Sequence, residues 1–429
     1  MKTIKLFLAL MAFIAVETSA QQGVVVNAPV ETYAVNTTTN SKTNTFARIA
    51  DETKVVGDAE RTKNFSKTFS VDNTDKVSLN NQYGSMLIKT WDRKEVKIDV
   101  EIKAYSNSDN DVQKLIDEVS IEANKAGDLV SVRTNMNDRN GNYGRKLRNG
   151  VTTWRREIKV NYVVYMPSVN PLTAQQQYGS INLGDFSGPT SLKVQYGNLT
   201  AGNLNSTNNY LNVEYGKMTV QNINTAVVKH EYGGGVSIGS VGTLQLDAEY
   251  VPVNVNTISK SANIKVQYGG GLTIGSIGGN LLLNSEYAKV NINNIKGNTV
   301  IKQSYSSLTL ANIGKLSLKT EYTNVTLGTL NGDASIDMDY NRLTINEIAP
   351  ACKNFNFIGE YASVGLGFSD NYNATFTVST TYAGFKYGSN VTSRLISDDD
   401  EDKKYSGKIG NGGTANVIIK TEYGAVTFK

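Results

Sequence analysis

Side chains suited to chemistry are few in this sequence. One histidine, His230, stands two residues before Tyr232, and Cys352 is the only cysteine. Protein zinc sites draw on three or four His, Cys or carboxylate ligands, so no His/Cys metal centre is expected. A lone cysteine also forms no disulfide within the chain. No cofactor is expected, and neither a phosphate-cradling glycine loop nor a nucleophile elbow. His230 occupies a place where equivalent segments carry Val194, Val213 and Val266, which makes it an interior or edge side chain rather than a general base.

Carboxylates and cations remain. Asp247/Glu249 and Asp337/Asp339 are two residues apart, so on a strand each pair shares one face. They are the best seats for a cation, and rows of this kind could hide the two acids of a glycan-cleaving enzyme. The ordinary reading is a solvated face paired with lysines. Asp398-Asp399-Asp400-Glu401-Asp402 lacks the alternating ligands and turn glycine of a calcium loop. A basic loop holds Arg139, Arg145, Lys146, Arg148, Arg155 and Arg156, with Tyr143 and Trp154 among them. Arg145, Lys146, Arg148, Arg155 and Arg156 are candidate contacts for an anionic glycan or lipid headgroup, although such loops are more often simply solvated.

The element that positions these groups is a repeat. Tyr-Gly or a close variant recurs at Tyr178, Tyr196, Tyr215, Tyr232, Tyr250, Tyr268, Tyr287, Tyr305, Tyr322, Tyr340, Tyr361, Tyr382 and Tyr423, at intervals of 17 to 21 residues except for a last one of 41. That last interval has room for two units, with the acidic run on an expanded loop. Each unit has an alternating pair after the turn (Ile181/Leu183, Leu308/Leu310), then a lone apolar residue (Ile277, Ile313), then a second pair before the next tyrosine (Leu192/Val194, Ile264/Val266). Period-two alternation means strands with one buried face. Three short strand-like segments in about 18 residues cannot bury their own apolar face, so units must stack on one another. The tyrosine continues the inward phase of Leu192 and Val194, which predicts a structural ladder of rings in the core. An exposed aromatic stripe for sugars is the competing reading.

Outward residues are equally regular. One before the tyrosine stand Gln177, Gln195, Glu214, Glu231, Glu249, Gln267, Glu286, Glu321, Asp339, Glu360 and Glu422, and three before it stand mostly lysines such as Lys193, Lys265 and Lys319. The lysines are expected to offset repulsion along the acidic row.

Residues 1–20 have a basic start, the apolar run Leu6–Val16 and the small exit Thr18-Ser19-Ala20, as in a cleaved signal peptide. Residues 21–63 are polar and aperiodic, a flexible arm. Residues 64–170 contain a founding Tyr83-Gly84 unit and, over Ser108–Val119, apolar residues at helical spacing. They are expected to form the first rungs and a helix-bearing cap insert. The Tyr-Gly array fills 171–429. With 43 Lys+Arg against 39 Asp+Glu, a nucleic-acid partner is not expected. No later apolar run is long enough to cross a membrane.

Tyr83-Gly84, the run Ile88-Lys89-Thr90-Trp91-Asp92-Arg93-Lys94-Glu95-Val96, the strand end Tyr165-Met166-Pro167 and the downstream Tyr-Gly units resemble an adhesin-like β-solenoid domain family of unknown function. They are similar to the auto-transporter adhesin head domains of Bacteroidota envelope proteins. The resemblance implies export and an all-β fold: a single-stranded parallel β-helix with rungs of about 18 residues and an N-terminal β-rich cap carrying one short helix. The function expected is that of a non-catalytic exported cell-envelope protein, an adhesin or scaffold in the periplasm or at the cell surface. Its partner would be an envelope glycan or another envelope protein. A glycan-active β-helix enzyme and a periplasmic sensor or assembly partner are the alternatives.

Overall fold

Parallel register at a fixed offset organises the chain. The computed structural model describes residues 59–136, 143–148 and 151–429. The expected signal peptide, most of the expected arm and Arg139 lie outside the described residues. The described chain is all-β, with thirty strands and one helix, Asp109–Asp117.

The strand entering each tyrosine pairs in parallel with the equivalent strand one repeat earlier and one repeat later. Leu192 lies opposite Ala174 on one side and Leu211 on the other. The strand leaving the tyrosine forms a second such ladder, with Ile181 opposite Met86 and Leu199. Ile264, Val266, Leu272 and Ile274 line the continuous apolar core, so no single repeat could be stable without its neighbours. The three expected segments per repeat are in fact two strands. The lone apolar residue belongs to the leaving strand, as in Leu272–Ile277, where pairing lapses for one residue at Gly275 and resumes at Ser276 and Ile277.

Both ends depart from the parallel pattern. At the N-terminal end, Lys76–Gln82 pairs outward with Leu129–Met136, and Met86–Thr90 pairs outward with Val151–Met166. Antiparallel strands follow beyond these: Val119–Ala126 in one ladder, then Glu95–Ser106 and Ala59–Ser70 in the other. Residues 59–63, assigned above to the flexible arm, are therefore part of an edge strand. The helix begins at Ser108, whose hydroxyl accepts from the Asp111 N–H at 3.1 Å, a standard N-cap. It buries Val112, Leu115 and Ile116.

At the C-terminal end, sequence order and stacking order part company. Ala374–Thr381 does not pair with the preceding strand Asn354–Phe368. The last long strand, Ala415–Glu422, lies between them, parallel to both. The 41-residue interval thus contains no second array unit. It holds a hairpin, Val391–Asp399 with Asp402–Ile409, laid antiparallel against Ala374–Thr381, and then the return. Phe428 seals this end by edge-on packing against Phe368, Phe376 and Phe385, at centroid distances of 5.2, 5.4 and 4.9 Å.

Candidate functional site

The tyrosines form one continuous stack that starts at Tyr83. Neighbouring rings lie 4.4–5.3 Å apart and within 15° of parallel, through Tyr178, Tyr196 and the rest to Tyr361, then Tyr423, then Tyr382. Their place in the core is overturned. Every repeat tyrosine is 37–50% exposed. The reason is backbone conformation: each has φ between +49° and +64°. Alternation places a side chain only while the backbone stays extended. A left-handed residue turns the chain and sends its side chain out of the core.

That conformation costs a non-glycine residue about 1–2 kcal/mol. A stacked aromatic pair contributes about 0.5–1.5 kcal/mol beyond its burial, and covering half of a ring adds about 2 kcal/mol. The ladder therefore stabilises despite its strain. The following glycine supplies absence of bulk rather than left-handed freedom. A Cβ on Gly179 would lie 1.5 Å from the Gly84 carbonyl oxygen, and one on Gly197 would lie 1.9 Å from that of Gly179.

Stacking also limits what the ridge can bind. Ring faces, which carry most sugar–aromatic contact, are covered by the neighbouring rings, leaving edges and hydroxyls outward. Beside the ridge runs the row of acids and amides. Gln177 donates to Gln195 at 2.9 Å, Gln195 to Glu214 at 2.9 Å, and Gln267 to Glu286 at 3.2 Å. Carboxylates raise phenol pKa values along the ridge: Glu286 and Glu321 of this row at Tyr268 and Tyr305, and Glu401 of the acidic run at Tyr382, which is pushed up to about 12. Lys319 acts on Glu321 and Asp339 of this row, as expected, but over a longer range than its contact with Asp337. Lys265 reaches Asp247 at 3.8 Å and Lys319 reaches Asp337 at 3.0 Å, both along the lysine row itself. The Asp247 and Asp337 carboxylates, candidate cation seats, thus face ammonium groups.

The remaining candidates are scattered. Arg155 bonds Glu157 at 2.7 Å and covers the Tyr105 ring at 3.8 Å, and Arg156 lies 3.6 Å from Glu118. These two are held by acids of the cap. Arg145, Lys146 and Arg148 are exposed on the strand Gly144–Arg148, where Arg145 donates to Thr152 at 2.9 Å and Lys146 lies over Trp154. The acidic run forms the tip of the C-terminal hairpin, with Asp398 3.3 Å from Lys403.

Two groups fit no reaction. His230 is fully buried with neither ring nitrogen hydrogen-bonded. Burial pulls its pKa down to about 4, and the nearby Gly216 backbone offsets this only in part. Burial pushes the Cys352 thiol up to about 12, which leaves it unreactive. Sequence reasoning overlooked that Gly235-Val236-Ser237-Ile238-Gly239 has the spacing of a nucleophile elbow. The context is wrong for one: Ser237 sits mid-strand, paired with Asn254, not on a sharp strand-to-helix turn.

No protein-family model and no curated protein matches this chain. Among solved structures it is similar to a "putative cell adhesion protein" from Clostridium sporogenes, at 8% identity and TM-score 0.17, covering 86% of this chain and 99% of that one. It is similar to a "putative adhesin" from Parabacteroides merdae, at 14% identity and TM-score 0.23, covering 64% and 96%. It is also similar to a "putative lipid binding protein" from Parabacteroides distasonis, at 11% identity and TM-score 0.21, covering 70% and 95%.

Proposed function

We propose that this chain is a non-catalytic, exported cell-envelope protein, an adhesin or scaffold, whose Tyr-Gly array is a parallel β-solenoid. The observation that carries the reading is the uninterrupted ridge of half-exposed, mutually stacked tyrosines beside a continuous polar row. Such an arrangement repeats one pattern of hydroxyls, amides and carboxylates at about 4.8 Å per step. That suits multivalent contact with an extended polymer or another repetitive surface, not the concentration of reactive groups at one point. The single imidazole is dry and unpartnered, and the single thiol is unreactive, so neither offers a nucleophile or base. Among the described residues no helix is long and apolar enough to cross a membrane.

The test joins localisation to attachment. Intact cells producing the full chain are treated with external protease, and purified protein is tested for retention on its own cell-envelope fraction. Surface cleavage with envelope retention is the expected result. Protection from protease, with release of soluble sugar from the envelope fraction, would favour a glycan-active enzyme and overturn the reading.

A further inference from the structure

We infer that the first four rungs of the array carry a subsite for a neutral glycan, on the face beside Tyr83, Tyr178 and Tyr196. The inference deepens the adhesin reading and rests on it. A cleft of about 320 Å³ opens there, at the small end of the range for ligand sites. Its floor is two columns of side chains in parallel register. Asn80, Gln175, Lys193 and Asn212 follow one another in the first column, and Gln82, Gln177, Gln195 and Glu214 in the second.

Six of these eight groups are carboxamides. Further along the array the same columns hold chiefly charge: Lys229, Asp247, Lys265, Lys302 and Lys319 in the first, Glu231, Glu249, Glu286 and Glu321 in the second. The amide character is therefore local to the cleft. Each carboxamide offers two N–H donors and a carbonyl acceptor without net charge, and successive rungs repeat that pair about 4.8 Å apart. A hydroxyl both donates and accepts, so a ligand dense in hydroxyls and free of charge satisfies such a surface best. In the cleft lining an acidic polymer would meet Glu214 and one cation, Lys193, and Arg133, next in the column, is taken up by Glu122.

These amides also have capacity to spare. Gln177 and Gln195 each use one N–H to hold the next side chain in the column, which orients them and leaves the second N–H of each without a protein acceptor among the described residues. Among the described residues Asn80, Gln82, Gln175 and Asn212 make no side-chain hydrogen bond, and all four are exposed or half-exposed. A purely structural amide ladder would engage them along the axis, as it does Gln177 and Gln195. The neighbouring tyrosines add hydroxyl edges on one flank, since their faces are covered.

The experiment uses the full-length protein and saturation-transfer NMR with maltohexaose, cellohexaose and mannohexaose, against polygalacturonate as the acidic probe. At least one neutral hexasaccharide should bind. The variant pair Gln175→Ala with Asn212→Ala should weaken it tenfold or more, and Gln177→Glu should weaken it as well. Glu321→Gln, far along the row, should leave it unchanged, and equal melting temperatures would show that all variants fold. Preference for polygalacturonate, indifference to the cleft variants, or no neutral binding while envelope retention persists would each overturn the subsite and leave the adhesin reading intact. Loss of envelope retention by the unmodified protein would instead remove the reading on which the subsite rests.

Discussion

The carbonyl oxygen of Gly84 occupies the space where a side chain on Gly179 would begin, 1.5 Å from the position of a Cβ. The Tyr-Gly corners nest this closely because the glycine after the tyrosine has no side chain to separate successive rungs.

Gly179→Ala should therefore destabilise strongly, by about 3 kcal/mol or more, because the backbone on both sides must shift. Gly365→Ala is the matched control, since nothing lies within 4 Å of its Cβ position. Thermal melting of the two variants checks the contrast, and comparable midpoints would contradict the nesting.

Tyr268 should respond to truncation in an unusual order. Tyr268→Ala loses two stacking partners and half a ring of burial, about 3–5 kcal/mol, while Ala retains the strain of φ +49°. Tyr268→Gly loses the same contacts but accepts that φ freely, recovering about 1 kcal/mol. Glycine should thus be the milder substitution. Denaturant midpoints decide it, and alanine proving milder would show that the left-handed corner does not persist in solution.

His230 makes stability depend on pH in a defined window. Its folded pKa is about 4 against an ordinary 6.5, so the unfolded chain binds the proton more readily between those values. The associated stability is complete above pH 6.5 and is lost as pH falls toward 4, about 3 kcal/mol in all. His230→Val should abolish that component and raise stability at neutral pH, since two buried ring nitrogens without partners disappear. Melting curves from pH 7 to pH 4 on both proteins measure it.

Alkali should act on the ridge. Neighbouring carboxylates raise the phenol pKa values of Tyr268, Tyr305 and Tyr382, the last to about 12. Ultraviolet titration should show part of the tyrosine absorbance changing above the ordinary value near 10 and returning to it in strong denaturant. Because these acids have raised folded pKa values, their contribution is present below pH 10 and lost above it. Glu286→Gln should bring the late-titrating fraction down, and a single transition at the ordinary value would refute the coupling.

Strand placement was largely legible, and side-chain direction at the corners was not. Leu192, Val194, Ile264 and Val266 alternate with polar residues, and burial follows that alternation. Tyr196 shares the same parity and fails it, because parity carries no information about φ. The hint was chemical: thirteen interior phenols would have needed thirteen hydrogen-bond partners, and the repeat supplies no matching residue. The amide cleft was spelled out in Gln175, Gln177 and Gln195, but its extent emerges only when Asn80 and Gln82 are aligned by register with residues nearly a hundred positions later. The C-terminal exchange has no local signal at all, since Ala415–Glu422 reads like any other unit.

That exchange bears on how the molecule comes into being. A repeat array built by simple accretion could consolidate repeat by repeat in sequence order. Here Ala415–Glu422 must enter a gap between two stretches synthesised before it, and Phe428 completes the aromatic plug. This end of the array therefore cannot be finished until Phe428 is in place. Until then Asn354–Phe368 and Ala374–Thr381 must remain apart or separate again, for paired directly they would shut the last segment out. An otherwise modular chain thus acquires a checkpoint at residues 415–428: without them Asn354–Phe368 and Ala374–Thr381 lack the strand that joins them.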